Sequence, residues 1–317
     1  MRCLCCSKPF TGKIPENLWH PACIKRFFGT TTLPEINLSE EQLLRLATQS
    51  VDKGYTVTGV QKKLSLHLTT EEKPRLTLVG YPSGYILKPQ DAEYPHMPEA
   101  EQLVMCMADA VGIKTVPHAL IRQGDSIAYI TKRVDRQASH DHVPQKLAME
   151  DFCQLDYKPT EEKYHGSYER CAKIINRYST RPGFDLSELF MRLVFCFLTG
   201  NSDMHLKNFS LIETSVGNNQ YVLSPAYDLL PVQLILPGDI DDTALTLNGK
   251  NQKLHRKDFL IFAETAGIPQ KAATAIMDRM FAMVPKLQTM CGESLLPKNM
   301  QCELIALIEE RARRIGA

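Results

Sequence analysis

Two carboxylates and one carboxamide could together transfer a phosphoryl group. Two of these side chains lie in a single polar loop, and the third lies 20 positions further along the chain. The loop reads GNSDMHLKNFS from position 200 and directly follows the apolar run LVFCFL. Asp203 precedes Asn208 in this loop, and Asp228 follows in the segment PAYDLL. Phosphoryl transfer needs a carboxylate that orients the attacking hydroxyl, and it needs oxygen ligands that hold Mg²⁺ against the phosphates of ATP. Asp203, Asn208 and Asp228 match this requirement.

The elements around the loop predict that these three side chains converge. LSELFMRLVFCFLTG has the apolar periodicity of a buried helix and ends at Gly200, a natural helix stop, so NSDMHLKN is predicted to be a loop. The turn VGNN is flanked by the segments FSLIE and YVLS, and this pattern predicts a β-hairpin. We expect its second strand to bring Asp228 back beside Asn208.

A second pair of residues could neutralise phosphate charge. Lys88 ends the predicted strand GYILKP, and Glu101 lies in the predicted helix PEAEQLVMCMADAVGI. In protein kinases a strand lysine that binds ATP phosphates is held by a glutamate on a helix. The ordinary alternative is that Lys88 and Glu101 are two unrelated surface charges.

A phosphate-binding loop is harder to identify. GYTVTG has the glycine spacing of a Walker A loop, but Val60 and Gln61 follow Gly59 where Lys and Ser/Thr are required, which excludes that motif. The segment YTVTGVQKKLSL predicts a turn that leads into a strand, and its backbone N–H groups and the hydroxyls of Thr56 and Thr58 could cover phosphates. Alternatively, the two threonines simply favour the turn and the strand.

The N-terminus carries a separate cluster of metal-ligand types. Cys3, Cys6, His20 and Cys23 have the spacing C-x2-C-x13-H-x2-C. Two close ligand pairs separated by a loop suit one tetrahedral structural Zn²⁺, which would leave no open position for a substrate. The alternative interpretation is a set of ordinary buried thiols.

Composition excludes several classes of protein. The 317 residues include 44% hydrophobic residues, which can fill a large core, and the formal net charge is only +1. So small a net charge provides no overall field for direct binding of nucleic acid or of a membrane surface. The apolar runs are too short to span a bilayer, and the N-terminus lacks the apolar core of a signal peptide. We therefore expect a cytoplasmic protein whose cysteines are reduced or bind metal.

The order of the predicted elements indicates the fold class. NLSEEQLLRLATQS predicts a capped helix, and alternation in KKLSLHLTT, PRLTLVGYPSGYILK and DSIAYITKRV predicts antiparallel strands. From about residue 145 onward, helical periodicity dominates. This order predicts a bilobal α+β protein, with a β-rich N-lobe that contains one helix and a mostly helical C-lobe. The predicted boundaries are an N-terminal segment at 1–50, which holds the Cys/His cluster and a helix, the N-lobe at 51–140 and the C-lobe at 141–317.

Several motifs, in their order along the chain, resemble those of HipA-like serine/threonine kinases, the toxin kinases of bacterial toxin–antitoxin loci. The motifs cover about residues 55–235 and are TVTGVQKKLSL, ILKP, AEQLVMCMADAVGI, ITKRVDR, AMEDFCQ, GNSDMHLKNFSL and LSPAYDLLP. The resemblance implies a protein-kinase-like fold, with ATP and Mg²⁺ as cofactors.

The resemblance also implies a role for each matched residue. Asp203 looks like the catalytic aspartate, and Asn208 and Asp228 look like the Mg²⁺ ligands. ITKRVDR resembles the hinge whose backbone meets the adenine. The implied ATP-binding residues are Lys88, Glu101, Gly59, Val60, Gln61, Lys132, Arg133 and Val134.

Four further residues have regulatory or supporting roles by the same resemblance. His205 and Lys207 lie within the catalytic loop, where His205 would either contact phosphates or brace Asp203. Thr56 and Thr58 occupy the positions of the family's phosphate loop that are autophosphorylated. A phosphate there would add nearly two negative charges beside the ATP phosphates and suppress turnover.

Partners and substrate are also implied by the resemblance alone. HipA-like toxins phosphorylate aminoacyl-tRNA synthetases and so arrest translation, and the short HipT type is associated with the tryptophanyl enzyme. Few residues precede the phosphate loop here, so the chain resembles HipT, whose missing N-terminal subdomain is supplied by HipS and whose DNA-binding partner is HipB. HipS-like and HipB-like antitoxins are therefore the implied partners. The Cys/His cluster is not among the family's core kinase motifs, which leaves residues 1–25 without an implied role.

Two other functions remain open from the sequence. D-x-H-x-x-N also resembles the loop of phosphoinositide kinases and D-x4-N that of aminoglycoside phosphotransferases, which would make the protein a lipid or small-molecule kinase. T-x-T-G-V-Q and ITKRVDR favour the protein kinase instead. A zinc-bearing pseudokinase that only binds partners is the third interpretation, but the intact set of Asp203, Asn208, Asp228 and Lys88 opposes it.

Overall fold

A computed structural model describes residues 1–36, 63–69, 73–77, 84–124, 126–137 and 145–316. The chain divides into two compact units, the first formed by Met1–Gln102 with Val116–Arg136 and the second by Leu103–Thr115 with Gln137–Ala317. The helix predicted for NLSEEQLLRLATQS lies outside the described residues.

The first unit is built on a six-stranded sheet with the strand order β1-β3-β2-β4-β6-β5. All neighbouring pairs are antiparallel except β1 with β3, which is parallel. The strands are β1 Glu35–Ile36, β2 Leu64–Thr69, β3 Arg75–Thr77, β4 Tyr85–Lys88, β5 His118–Gln123 and β6 Ser126–Lys132.

Two helices accompany this sheet. Helix α1 spans Pro21–Phe28, and the rings of Phe27 and Phe28 pack against each other and against Tyr85 of β4. Helix α2 spans Met97–Val111, beginning in the first unit and ending in the second. The end of β4 and the first turns of α2 hold Lys88 and Glu101, so these elements position the predicted phosphate-binding pair.

The second unit is mainly helical. Its helices are α3 Phe152–Leu155, α4 Tyr168–Tyr178, α5 Pro182–Leu198, α6 Val232–Ile235, α7 Arg256–Thr265, α8 Gln270–Gly292 and α9 Lys298–Gly316. The remaining strands of the described chain are β7 Arg136–Gln137, β8 Gln145–Lys146, β9 Met149–Asp151, β10 Ser210–Glu213 and β11 Tyr221–Leu223. Strand β10 pairs antiparallel with β11 on one side and with β9 on the other.

Helix α5 is the core element of the second unit. Its last two turns are buried on every side, and the buried guanidinium of Arg192 donates to the carbonyl oxygen of Ser224 at 2.7 Å. This bond ties α5 to the end of the β10–β11 hairpin. The helix and the hairpin therefore support the polar loop between them from both ends.

Gly200 terminates this helix in the left-handed region. Its φ is +67°, and the N–H groups of Gly200 and Asn201 donate back to the carbonyls of Phe197 and Cys196. A Cβ at position 200 would lie 2.5 Å from Cδ2 of Leu307. Glycine is therefore required both by the backbone conformation and by the close packing of α9.

The predicted α+β class is confirmed, with a sheet-rich unit and a mainly helical one. The strands predicted in KKLSLHLTT, PRLTLVGYPSGYILK and DSIAYITKRV, the helix in PEAEQLVMCMADAVGI and the β-hairpin after the polar loop are all present. Among the described residues, no helix combines the length and apolar character needed to cross a bilayer.

Candidate active site

Backbone hydrogen bonds fix the loop at Asp203. The N–H of Asp203 donates to Oδ1 of Asn201 at 3.2 Å. The carbonyl oxygen of Asp203 accepts from the N–H of His205 at 2.8 Å and from Nδ2 of Asn208 at 2.9 Å. With both backbone groups of Asp203 engaged, the direction of its side chain is set by the loop.

Asn208 is oriented by the same contact. Because its Nδ2 donates to the carbonyl of Asp203, the polar atom of the side chain that remains for a ligand is the oxygen Oδ1. Asn208 is buried at the end of a 3₁₀ turn, Leu206–Asn208. An amide oxygen held in this way is a donor type that Mg²⁺ accepts.

The β10–β11 hairpin returns the chain to this loop. Leu211 pairs with Leu223, and beyond the strands the N–H of Ser224 donates to the carbonyl of Ser210 at 2.8 Å. The hydroxyl of Tyr227 then contacts Ser210 Oγ at 2.6 Å and donates to the carbonyl of Lys207 at 3.1 Å. These contacts bring residues 227 and 228 alongside the turn that carries Asn208.

Asp228 has an unusual backbone conformation. Its φ is +60°, in the left-handed region that non-glycine residues seldom occupy, although Asp tolerates it better than most. Strained residues of this kind concentrate at functional sites, where the surrounding structure holds them in place. This conformation sets the direction in which the Cα–Cβ bond of Asp228 leaves the backbone.

Tyr164 is a member of the site that the sequence did not indicate. Its hydroxyl donates to Oδ1 of Asp203 at 2.6 Å. Partial burial, this hydrogen bond and the charges of Asp203, Asp239 and Asp228 raise the pKa of Tyr164 well above its usual value. The raised pKa keeps Tyr164 protonated, so its hydroxyl remains a hydrogen-bond donor to Asp203.

Neighbouring residues also hold His205 and Lys207 of the loop. His205 is buried, and its ring packs edge-on against that of Tyr164, with 5.1 Å between centroids. Lys207 Nζ forms an ion pair with Oδ2 of Asp151 at 2.8 Å. This geometry favours the role in which His205 braces Asp203, and it pairs the ammonium of Lys207 with the carboxylate of Asp151.

Within the first unit, Lys88 and Glu101 form a buried ion pair. Nζ of Lys88 lies 2.6 Å from Oε1 of Glu101, and the side chains are only 5% and 1% exposed. The ammonium also lies 5.3 Å from the centroid of the Tyr129 ring. The expected pairing of these residues is therefore present, and the alternative of two unrelated surface charges is wrong.

The predicted hinge segment ITKRVDR begins within β6, whose last residue is Lys132, and continues beyond it. The N–H groups of Lys132 and Arg133 donate to the carbonyls of Pro117 and Gly84, both at 2.9 Å. Arg133 Nε and Nη2 also bind both carboxylate oxygens of Asp135, at 2.9 and 2.8 Å. Burial would raise the pKa of Asp135, but these bonds and the charges of Arg133 and Arg136 outweigh it and hold the pKa below its usual value.

These contacts restrict how the hinge could meet an adenine. The N–H groups of Lys132 and Arg133 are already engaged, so contact with a base would involve the carbonyls of the segment or the backbone of Val134.

The predicted phosphate loop lies outside the described residues. This applies to Thr56, Thr58, Gly59, Val60 and Gln61. The Cys/His cluster is described, and the ligand atoms of Cys3, Cys6, His20 and Cys23 all lie within 4.8 Å of one another.

Sequence reasoning missed the residues that support the site from a distance. Tyr164 stands 39 positions before Asp203, and Asp151 stands 56 positions before Lys207. Asp239 accepts from the hydroxyl of Ser202 at 2.6 Å. Asp151 lies in the matched motif AMEDFCQ, but no local pattern indicated its contact with Lys207. Tyr164 and Asp239 belong to none of the motifs, so only the fold places them beside the loop.

Comparison with known proteins identifies the family of this architecture. Residues 55–287 match the profile of the family described as HipA-like C-terminal domain. The protein named "Putative kinase Y4mE" of Sinorhizobium fredii is 30% identical over 220 residues, which cover 67% of this chain and 51% of that protein. The chain spans between half and three fifths of the length of the curated relatives it matches.

Two solved structures share the fold at low identity. One is HipA from Shewanella oneidensis MR-1, in a complex of the toxin–antitoxin proteins HipA and HipB with their operator DNA. It aligns with a TM-score of 0.68 and 18% identity, over 88% of this chain and 71% of that one. The other is the proinflammatory kinase CtkA of Helicobacter pylori, with a TM-score of 0.55 and 15% identity over 80% of this chain and 94% of that one.

Proposed function

Because the chain belongs to the family of the HipA-like C-terminal domain, we propose that it is a serine/threonine protein kinase that uses Mg-ATP and acts as the toxin of a toxin–antitoxin pair. Family membership and the kinase names of its relatives support the kinase activity. The kinase activity, its protein substrates and the toxin role are each tested by the experiments below.

One observation carries the kinase proposal above all others. Lys88 and Glu101 are both almost fully buried and lie 2.6 Å apart. Removing two charges from water costs several kcal/mol for each ion, so a buried pair is a poor device for stability. A strand lysine held by a helix glutamate is, however, the arrangement that kinases use to bind ATP phosphates.

The loop residues supply the rest of the chemistry. Asp203 would orient the substrate hydroxyl and accept its proton while the oxygen attacks the γ-phosphorus. The bond from this phosphorus to the β–γ bridging oxygen breaks, and ADP leaves. Asn208 and Asp228 offer the hard oxygen ligands that suit Mg²⁺, which when bound neutralises charge on the phosphates. Tyr164 holds one oxygen of Asp203 in place.

We further propose an aminoacyl-tRNA synthetase as the protein substrate and HipS-like and HipB-like proteins as antitoxin partners, as in the HipT type. The antitoxin is supported by the solved neighbour, whose HipA was crystallised with HipB and operator DNA. The substrate is supported by the motif resemblance alone. For regulation we propose autophosphorylation at Thr56 or Thr58, which would place a phosphate dianion beside the ATP phosphates.

The kinase proposal is tested by incubating the purified protein with Mg-ATP and measuring intact mass and phosphopeptides. We expect a phosphate increment in the wild type and none in Asp203→Asn. Asp278→Asn is the matched control, since Asp278 is an exposed aspartate of α8 that pairs with Arg256 away from the loop. An Asp203→Asn protein that is phosphorylated as readily as the control would overturn the assignment.

A second assay addresses the acceptor and the regulatory threonines. Labelled ATP would be supplied with a panel of tRNA synthetases, a phosphoinositide and an aminoglycoside. Transfer to a synthetase supports the toxin proposal, whereas transfer only to lipid or sugar identifies a small-molecule kinase. In the same assay we expect Thr56→Ala with Thr58→Ala to sustain transfer for longer than the wild type, and unchanged time courses would contradict the regulatory role.

A further inference from the structure

The Cys/His cluster at the N-terminus lies outside the residues that match the kinase family, and its geometry points to a specific ligand. We propose that Cys3, Cys6, His20 and Cys23 bind one structural zinc ion that fastens the N-terminal segment to the edge of the sheet. The proposal is independent of the kinase function and rests on four observations.

The first observation is the distance between the ligand atoms. Cys6 Sγ lies 3.4 Å and Cys23 Sγ 3.9 Å from Nδ1 of His20, and all four ligand atoms are within 4.8 Å of one another. Around a tetrahedral zinc, with Zn–S near 2.3 Å, ligand atoms are about 3.5–3.8 Å apart. Small side-chain adjustments would thus complete the tetrahedron, with Nδ1 as the ligand atom of His20.

The second observation is that the backbone forms the two tight turns from which such ligands project. After Cys3 the chain reverses, because Ser7 N–H donates to the carbonyl of Cys3 and Cys3 N–H donates to that of Lys8, both at 2.9 Å. Ser7 adopts a φ of +56° to make this turn. The second ligand pair is set by α1, since His20 is its N-cap residue and Cys23 lies in its first turn.

The third observation concerns charge. Three thiolates around a divalent zinc leave a net charge of −1. Two groups face this charge: the N–H of His20 donates to Cys3 Sγ at 3.4 Å, and Arg26 Nη2 lies 3.9 Å from Cys23 Sγ. The N-terminal end of α1 also favours the Cys23 thiolate. The surroundings therefore suit an anionic zinc centre, and such outer contacts orient the ligands.

The fourth observation is that the cluster is built into the sheet. The N–H of Leu120, in the edge strand β5, donates to the carbonyl of Leu4 at 2.8 Å. The indole Nε1 of the buried Trp19 donates to the carbonyl of Leu120 at 3.1 Å. Gln102 Nε2 donates to the carbonyl of Cys5 at 3.0 Å. A zinc ion would therefore stabilise the N-terminal segment where it covers the edge strand β5. It would also stabilise the hydrogen bond from Gln102, the residue that follows Glu101.

Zinc content is the direct test. Protein purified under reducing conditions without chelator would be analysed by elemental mass spectrometry, and we expect about one zinc per chain. The zinc content of the Cys6→Ser and Cys23→Ser variants should fall below about a tenth of that value. Cys5→Ala is the matched control, because Cys5 is also buried beside Arg26 yet is not one of the four converging ligands, and it should keep its zinc. Wild-type protein without zinc, or a Cys6→Ser variant with a full equivalent, would overturn the proposal.

An assay on the wild type alone covers the case in which the variants fail to fold. Cys6 is partly exposed and Cys302 is exposed, so both thiols should be accessible to an alkylating reagent in the absence of metal. We expect Cys302 to react at once and Cys6 to react only after a chelator is added. Cobalt added to the chelated protein should restore the protection of Cys6 and give the intense absorption of a tetrahedral thiolate site. Equal reactivity of Cys6 and Cys302 before chelation would contradict the proposal.

Discussion

Lys88 and Glu101 show how one pair of residues can be costly for stability and still be retained. Each side chain is at most 5% exposed, so its charge needs compensation by protein groups, and the other residue of the pair is one of them. Removal of one partner reduces the compensation of the buried charge that remains, whereas replacement of both by apolar residues of similar size removes both charges. A double-mutant cycle can therefore separate stability from function at this site.

We expect Lys88→Met and Glu101→Leu each to lower the free energy of unfolding by about 3–5 kcal/mol, and the double variant to recover most of that loss. All three variants should lose phosphoryl transfer, because each lacks at least one charge of the pair. The double variant restores packing without restoring the charges. Urea denaturation and the labelled-ATP assay measure the two effects.

The control pair is Lys158 with Glu162, which form a more exposed contact of 3.4 Å. Replacement of both residues should cost less than about 1 kcal/mol of stability and leave phosphoryl transfer unchanged. A Lys88→Met/Glu101→Leu protein that still transfers phosphate would contradict the assigned role.

Tyr164 allows a test of positioning at Asp203, the proposed catalytic aspartate. A hydrogen bond to a charged group is worth about 1.5–3 kcal/mol, so we expect Tyr164→Phe to lower kcat about tenfold or more. The KM for ATP should be unchanged, because Tyr164 contacts Asp203. Tyr157→Phe, at an 83% exposed tyrosine of the same unit, should match the wild type. A raised KM with an unchanged kcat would assign Tyr164 to nucleotide binding instead.

The same residue gives a pH prediction with a definite sign. The pKa of Tyr164 is raised, so the hydroxyl keeps its proton at every pH below its usual value of about 10 and remains a donor to Asp203. The ratio of wild-type to Tyr164→Phe activity should therefore be constant between about pH 7 and about pH 9. A ratio that falls with rising pH would mean that the hydroxyl ionises in this range.

At the scale of residues, the sequence revealed only those parts of the site that local patterns place. Asp203, Asn208 and Asp228 were found because they lie in or near one polar loop and one hairpin, so local patterns place them. Tyr164 was not found, because its contact depends on the packing of a segment 39 positions upstream. Spacing along the chain carries no information about such a contact.

At the scale of elements, the end of α5 determines where the candidate catalytic loop begins. Gly200 combines a φ of +67° with a Cβ position only 2.5 Å from Leu307. Gly183 lies in the same helix, and a Cβ there would meet no atom within 4 Å. The two glycines therefore form a matched pair for substitution.

We expect Gly200→Ala to lower the free energy of unfolding by about 1–3 kcal/mol, since a left-handed backbone alone costs an alanine about 1–2 kcal/mol. Phosphoryl transfer should fall as well, because the start of the loop shifts. Gly183→Ala should leave stability unchanged or raise it by up to about 1 kcal/mol. Denaturant unfolding of both variants measures this, and equal stabilities would show that α9 yields to the extra methyl group.

Strong periodicity made most elements predictable, and its absence explains why strands β1 and β5 were missed. Strand β2 alternates buried and exposed residues at its start, whereas β5 is buried at five of six positions and so shows no alternation. The two-residue strand β1 pairs in parallel with Arg75 and Leu76, a contact too short to leave any pattern. Helix α4 was also missed, although Tyr168, Cys171, Ala172 and Ile175 are buried at helical spacing, so its signal was present.

At the scale of the whole molecule, the family match begins at residue 55, so residues 1–36 are described structure outside that match. In the first unit this segment covers the edge strand β5 and contacts the start of α2 through Gln102. The N-terminal segment is thus part of the folded unit that carries Lys88 and Glu101. Its contribution to stability should depend on the proposed zinc ion, which would hold Cys3 and Cys6 together with His20 and Cys23.

Removal of the proposed zinc ion should therefore destabilise the protein as a whole. A ligand that binds only the folded state raises stability by mass action, and a structural zinc site contributes folding free energy directly. We expect chelation under reducing conditions to lower the midpoint of thermal unfolding of the wild type by about 5 °C or more. Cys23→Ser should start near this lower midpoint and respond no further to the chelator, whereas Cys5→Ala should respond like the wild type. If the chelator lowered the midpoint of Cys23→Ser as much as that of the wild type, the stabilising metal would have to lie elsewhere in the chain.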